Sequence, residues 1–337
     1  MKIHNSLENF RVNYLFTYLD IGSRWGINNL LTNLFPKAIC IGFEPDPVEF
    51  EILQSNKSDN EIFYPFALSN REGFSKLYIT ESPDWSSLYE PDTDIFNKFN
   101  GLEDFHYIKR CENVHVISID KLLNSDSRYE PISRSDYIKI DVQGGELDVL
   151  KGSKTLLKSF VAIEVEVEFL QIYKNQPTFD KIHKFLLNNG YFLFDLSRNR
   201  CFRNEFNSFD NDTKGQLIWG DAIYLKDYHT FIDVGDIDKL FCLFWVSLQL
   251  GFFDYGYSII QKLYNNGIVD NSLIDEAVLI FQKYALDQRK KTYFVDALSK
   301  VPFGKKIILK LLKWFNWNNS RMISLSHPEP EFYFRRD

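Results

Sequence analysis

Short apolar runs alternate with amphipathic stretches through the first two-thirds of the chain, the pattern of strands buried between helices. Tyr14 to Leu19 reads as a buried parallel strand, Ala38 to Phe43 as a second and Glu61 to Leu68 as a third. Phe74 to Thr80 alternates as an edge hairpin strand would, and Val114 to Ile119 resumes strand character before Asp120-Lys121-Leu122, expected to cap a short helix. Tyr137 to Ile140 buries Ile138 and Ile140 and delivers Asp141 at the strand's carboxyl end. In the run Val161 to Val167, Glu164, Glu166 and the following Glu168 share the face opposite Val161, Ile163, Val165 and Val167. Thr178 to Asn188 is an amphipathic helix stopped by Asn189-Gly190, with Tyr191 to Leu196 as the strand behind it and Gln216 to Leu225 as the last strand. The count predicts an α/β fold: a doubly wound, mostly parallel sheet with an antiparallel edge hairpin. Beyond Lys226 the period turns helical over Ile237 to Leu250, Tyr255 to Tyr264, Ser272 to Gln288 and Lys305 to Trp317, with Gly251 and Gly267 as breaks. Two domains are therefore expected, an α/β domain over 1–228 and an all-helical extension over 229–337.

The turn out of the first strand carries candidate chemistry. Gly22 and Gly26 bracket a tight turn into the helical pattern Ile27 to Leu34, and Asp20 stands just ahead of it. Glycines there let backbone N–H groups approach a ligand at a helix start. The spacing is G-x-x-x-G, so it is neither the dinucleotide fingerprint nor a P-loop. Glu44 comes about 20 residues after Gly22, where doubly wound folds place an acid that accepts from ribose hydroxyls. Pro45 stops the strand, and Asp46 with Pro47 can start the next helix. The stretch Glu81 to Arg110 shows little regular pattern and is expected to form a lid or binding loop. Asp141 sits where open α/β sheets bind ligands, and Glu146 opens the helix behind it. Three carboxylates on one strand face repel, so at least one is expected to meet solvent, a cation or a substrate proton.

A net charge of −7 argues against a general nucleic-acid binder, and 31 Phe with 18 Tyr fit a compact globular chain. The four cysteines are far apart without a C-x-x-C pair, so neither a zinc site nor a disulfide framework is expected and a reducing, cytoplasmic location is the default. The polar segment Met1 to Phe10 lacks the apolar core of a signal peptide, and no apolar run is long enough to span a bilayer. Across 305–317, Ile307, Ile308, Leu311, Leu312 and Phe315 share one side with Lys306, Lys310 and Lys313 around it. That pattern suits peripheral contact with an anionic membrane, or docking on the protein's own body or a second subunit.

Taken in order, several blocks resemble the FkbM-type methyltransferases. They are Leu19-Asp20-Ile21-Gly22-Ser23-Arg24-Trp25-Gly26, Gly42-Phe43-Glu44-Pro45-Asp46-Pro47, Ala67-Leu68-Ser69, Ser86-Ser87-Leu88 and Ile119-Asp120-Lys121-Leu122. They continue through Ile138-Lys139-Ile140-Asp141-Val142-Gln143-Gly144-Gly145-Glu146 and Leu150-Lys151-Gly152, with Glu166-Val167-Glu168-Phe169 and Trp219-Gly220-Asp221-Ala222 as features of one branch. The resemblance implies a Rossmann-like methyltransferase sheet and S-adenosyl-L-methionine as cofactor. It implies that Asp20, Gly22, Ser23 and Gly26 hold the methionine end, that Glu44 with Pro45 holds the ribose, and that Ala67 and Leu68 flank the adenine. Ser87 belongs to the same cofactor set, and Asp141 is placed beside the sulfonium. Asp141, His106 and Glu166 stand as candidate bases, and no metal site is assigned. The implied acceptor is a hydroxyl of a sugar, glycolipid or related small molecule in cell-surface glycan biosynthesis, with Trp85, Tyr89, Phe105 and Tyr107 as an aromatic lid. The alternative is a non-catalytic nucleoside-binding module of a glycan-assembly pathway; a nucleic-acid substrate is disfavoured by the acidic balance. A homo-oligomer formed through the helical extension is also compatible with the pattern. The chain departs from the family at Ser23-Arg24, where Ala-Asn is usual, and at Gln143, where Glu is usual.

Overall fold

The computed structural model describes residues 6–27, 29–102, 105–204 and 214–284. The strands are β1 (Thr17–Ile21), β2 (Ile39–Phe43), β3 (Glu61–Tyr64), β4 (Ala67–Leu68), β5 (Gly73–Thr80) and β6 (Ile108–Ile117), then β7 (Tyr137–Ile140), β8 (Ala162–Glu168), β9 (Tyr191–Leu196), β10 (Asn199–Cys201) and β11 (Gln216–Lys226). The main sheet runs β3-β2-β1-β7-β8-β11, and β9 and β10 both pair with β11. Strands β1, β2, β3, β7 and β8 are parallel, whereas β11 is antiparallel to its neighbours. The doubly wound sheet with an antiparallel edge is therefore present. From β1 the chain winds outward through β2 and β3, then returns to the other side of β1 as β7. Strand order reverses between β1 and β7, and the crevice outside their carboxyl ends is where such sheets take ligands.

Alternation divides the sheet into two unlike faces. Leu19, Ile21, Ile41, Phe43, Ile138, Ile140, Ile163, Val165 and Val167 belong to one buried apolar cluster, closed by helix residues such as Leu147, Leu150, Ile182 and Leu186. The opposite face carries Tyr18, Asp20, Lys139 and the glutamates of β8, set side by side by the registers Asp20↔Lys139 and Lys139↔Glu164.

Three local expectations are corrected. The third strand breaks in two: β3 ends at Tyr64, Pro65 supplies no N–H to continue the ladder, and β4 pairs with β6 in a separate sheet of order β4-β6-β5. Strand β6 already begins at Ile108, so the segment after Glu81 is shorter than expected and contains a 3-10 turn, Pro83–Trp85, and a short helix, Thr93–Phe96. The helix Ile119–Ser125 is capped by Ser118, whose Oγ accepts from Lys121 N at 3.2 Å. Asp120 instead accepts from Lys154 N at 3.0 Å and Thr155 N at 2.9 Å.

The chain separates into two compact units, the sheet unit of 15–27 and 38–227 and a helical unit that takes in the described residues 6–14, 29–37 and 228–284. Its helices are Leu7–Asn13, Asn29–Thr32, Tyr228–Val234, Ile237–Gln249, Phe253–Asn265 and a further one over 271–284. Ile237–Gln249 is its buried centre, and Trp245 Nε1 donates to Leu7 O at 3.1 Å. Glu276 accepts from Ser6 Oγ at 2.7 Å, Leu7 N at 2.9 Å and Glu8 N at 3.1 Å, and so satisfies the start of the first helix. Leu7–Asn13 and Tyr228–Val234 have only seven residues each, too few for a helical period to stand out in the sequence. The 305–317 stretch lies outside the described residues, among which no helix is long and apolar enough to cross a membrane.

The approach of β1 to β7 depends on Gly22. Its φ is +85°, and a Cβ added there would meet the Asp141 carbonyl oxygen at 2.0 Å, whereas Gly26 at φ +90° has nothing within 4 Å. Gly22→Ala is expected to cost about 3 kcal/mol or more and Gly26→Ala only about 1 kcal/mol, read from urea unfolding. Equal losses would contradict this account of the turn.

Candidate active site

The site is built from the polar face of the sheet at the carboxyl ends of β1, β7 and β8. Asp20 is buried, and Lys139 Nζ lies 3.6 Å from its Oδ1 and 3.2 Å from Asp141 Oδ2. Alternation places Lys139 and Asp141 on one face, so the ammonium holds the two carboxylates flanking the switch point together. Glu164 Oε2 accepts from Tyr137 OH at 2.8 Å. Glu166 and Glu168 continue the row and face Asp221 and Trp219 of β11 in register.

Past Asp141 the chain turns sharply, with Gln143 at φ +59° and Gly144 at φ +100°. This turn is the hub of the site. Gln143 Nε2 donates to Glu166 Oε2 at 2.6 Å and to Asp141 Oδ1 at 3.0 Å, while its Oε1 lies 2.8 Å from Tyr173 OH. Glu146 Oε1 accepts from Val142 N and Gly144 N, both at 3.0 Å. Ser87 Oγ donates to Gln143 O at 2.6 Å and accepts from Tyr89 N at 2.9 Å, fastening the segment after β5 to the turn. An amide serves at position 143 because its NH2 donates to two acids, which an ionised Glu cannot do. The hub role of Gln143 and the anchoring of Tyr173 escape sequence inspection; the Gln-Gly-Gly run signals a left-handed turn but not the partners.

Burial has shifted the acids strongly. Desolvation, followed by the charges of Asp141 and Glu168, raises Glu166 well above the carboxylate range. Desolvation and then Glu146 raise Glu168 in the same direction. The Gln176 side chain is near enough to oppose that rise weakly, but its amide nitrogen completes no hydrogen bond to Glu168. Glu146 is pushed to about 7, again chiefly by burial, with the Val142 and Gly144 N–H groups opposing the shift. The β8 acids Glu164, Glu166 and Glu168 are all buried, which leaves a cation or a substrate proton of the three alternatives the strand pattern offered.

On the other flank, Glu44 lies at the carboxyl end of β2 and Asp46 caps the helix Pro47–Asn56, as the sequence indicates. Pro45 separates them, half-buried. Glu44 Oε1 accepts from Asp46 N at 2.7 Å and lies 3.7 Å from Arg24, whose guanidinium also contacts Asp46 at 2.9 Å. Glu44 Oε2 makes no hydrogen bond among the described residues. The turn's N–H groups are committed inward: Gly22 N and Ser23 N both donate to Phe43 O, at 3.1 and 3.2 Å, and Gly26 N donates to Ser23 O at 3.0 Å. In this conformation the Gly22 and Ser23 amides extend the pairing of β1 with β2, and the Gly26 amide closes the turn. The Ser23 hydroxyl is buried and has no hydrogen-bond partner among the described residues.

Other sequence candidates are placed differently. Ala67 and Leu68 form β4 with buried side chains, Leu68 in the main core and Ala67 in the small sheet's cluster. His106 is buried against Phe96 and Tyr107, at ring separations of 5.6 and 4.4 Å. Trp85 and Phe105 stack on each other at 5.0 Å, and Trp85 meets Phe96 and Trp219 edge-on. Tyr89 OH donates to Asp148 at 2.9 Å. Of the four aromatic residues expected in a lid, Tyr107 is the exposed one.

A family model described as the methyltransferase FkbM domain matches residues 20–193, more than half of the chain. The chain is 27% identical over 143 residues to Methyltransferase 1 of Beauveria bassiana (strain ARSEF 2860), covering 40% of this chain and 57% of that protein. The match thus spans less than two-thirds of the relative's length. Among solved structures, the precorrin-6y C5,15-methyltransferase of Geobacter metallireducens GS-15 gives a TM-score of 0.32 at 13% identity over 66% of this chain and 84% of that one. TrmK of M. capricolum, solved with S-adenosyl-homocysteine, gives 0.30 at 11% over 83% and 94%. Likenesses this loose carry no argument about chemistry.

The buried Glu44 gives the site a pH signature. Desolvation raises its carboxyl from 4.5 to about 7 in the folded chain, outweighing the Arg24 charge. Between these values the unfolded chain has lost the proton and the folded chain keeps it, so stability falls as pH rises through this window, by about 3 kcal/mol. In Glu44→Gln that decline should vanish, so the wild-type-minus-variant difference in unfolding free energy should slope downward from pH 4.5 to 7. Parallel stability curves would contradict the buried, protonated Glu44.

Proposed function

Since the chain belongs to the FkbM methyltransferase-domain family, we propose that it is an O-methyltransferase acting on a hydroxyl of a sugar, glycolipid or related small molecule during assembly of a cell-surface glycan. Its cofactor is S-adenosyl-L-methionine. The residues near the switch point fit this group, since neither Ser23 Oγ nor Glu44 Oε2 makes a hydrogen bond among the described residues. The single observation that carries the reading is the acidic row Asp20, Asp141 and Glu166, joined by Lys139 and Gln143 at the carboxyl ends of β1, β7 and β8.

When bound, the cofactor supplies an electrophilic methyl group on a cationic sulfur. Glu44 would accept from the ribose hydroxyls, Ser23 with the Asp20–Gly26 turn would hold the methionine end, and the backbone of Ala67–Leu68 would flank the adenine. Asp141 places negative charge at the strand end, where a cation is favoured. A hydroxyl acceptor needs a base close to its oxygen. Asp141 suits that role better than Glu166, because it stays partly exposed beside the Lys139 ammonium, whereas Glu166 is buried and raised well above the carboxylate range. His106, packed among aromatic rings, serves the architecture of the cluster rather than the proton. Bringing the acceptor in line and excluding water would supply the remaining rate. The acidic balance of the chain favours a neutral, cytoplasmic precursor over nucleic acid as acceptor.

Calorimetry with S-adenosyl-L-methionine and S-adenosylhomocysteine, followed by radiolabel transfer to extracted glycan precursors, tests the proposal. Saturable binding and transfer are expected, with transfer reduced about 100-fold or more in Asp141→Asn. Binding without transfer to a broad acceptor panel would favour a nucleoside-binding module. Normal methylation by Asp141→Asn would remove that residue from the mechanism.

A further inference from the structure

Behind the residues assigned above, three glutamates converge without any balancing charge. One carboxylate oxygen from each of Glu146, Glu166 and Glu168 lies within 4.8 Å of the other two. None of the three makes an ion pair among the described residues. Their satisfaction by hydrogen bonds is graded. Glu146 uses Oε1 for two backbone N–H groups and leaves Oε2 buried without a partner. Glu166 receives the Gln143 amide on Oε2. Glu168, 1% exposed, completes no hydrogen bond on either oxygen among the described residues. Unpartnered carboxylate oxygens at full burial are costly, and the Gln176 amide beside Glu168 supplies too few donors for oxygens gathered this closely.

We propose that Glu146, Glu166 and Glu168 form a binding site for one hard divalent cation, which ties the turn after β7 to the carboxyl end of β8. All the donors are carboxylate oxygens, the set preferred by Ca2+, Mg2+ and Mn2+ over softer ions. Three oxygens spread evenly around one ion stand at most about 3.6 Å apart for Mg2+ and about 4.0–4.5 Å apart for Ca2+, so carboxylates whose oxygens all lie within 4.8 Å of one another need only a small inward movement to close on such an ion. The elements bearing the ligands are held independently. Glu146 starts a helix whose preceding turn it already closes, and Glu166 and Glu168 are fixed by β8 pairing with β11. With both oxygens of Glu168 and Glu146 Oε2 available, an ion receives at least three protein oxygens before the open side of Glu166 or water contributes. The site requires neither the methyl donor nor an acceptor, so its test is separate from that of the proposed reaction.

The whole chain, stripped with EDTA and dialysed, is titrated calorimetrically with CaCl2, MgCl2 and MnCl2 in the absence of nucleoside. One saturable site is expected for at least one of the three ions, with affinity falling at least about tenfold in Glu168→Gln and in Glu146→Gln. Far-ultraviolet circular dichroism reports whether each variant folds. Should both fail to fold, anomalous diffraction from Mn2+-soaked wild-type crystals decides, with a peak expected between Glu146 and Glu168. Absence of binding by all three ions, undiminished affinity in a folded Glu168→Gln variant, or an anomalous map without that peak would overturn the site and leave the three glutamates holding protons.

Discussion

A parallel sheet buried on both faces must neutralise whatever charge its strands carry inward, and this requirement organises the sheet unit. One face meets it by being apolar, with Ile138, Ile140, Ile163 and Val165 in the core. The other carries acids in adjacent registers, and all but Glu168 are balanced by local devices. Lys139 serves Asp20 and Asp141, the Tyr137 hydroxyl serves Glu164, the Gln143 amide serves Glu166, and backbone N–H groups serve Glu146. In a low-dielectric setting each such partner matters far more than at a surface. Glu168 stands at the end of the series with none. A face arranged in this way favours positive charge at its open edge.

The topology explains why these groups meet. Reversal of strand order between β1 and β7 brings residues distant in sequence to one edge, and the absence of a side chain at Gly22 lets the turn pass against the Asp141 carbonyl. The same closeness commits the amides of Gly22 and Ser23 to β2. Arg24, absent from the family's usual turn, fills the space between Glu44 and Asp46 and ties the turn to the next helix.

Much of this frame was legible in the sequence because it rests on local pattern. Apolar runs ending in Asp20, Glu44 and Asp141 mark β1, β2 and β7, and the G-x-x-x-G spacing marks the turn. What was hidden depends on tertiary cover. The first residues of β6, from Ile108 to Asn113, are largely polar because that part of the strand is exposed, so they look like loop. Glu164, Glu166 and Glu168 look like a solvated strand face, and only the layers packed on them make that face interior. The role of Gln143 stems from a left-handed backbone that directs its amide between two acids, which no periodicity encodes.

The measurement that bears most directly on the site's identity is a crystal structure of the protein grown with S-adenosylhomocysteine. The nucleoside is expected in the crevice between the β1 and β7 ends, with its ribose at Glu44 and its amino-acid end at Ser23. Density elsewhere on the sheet, or none in the crevice at saturating nucleoside, would contradict the assignment of the switch point as the binding site.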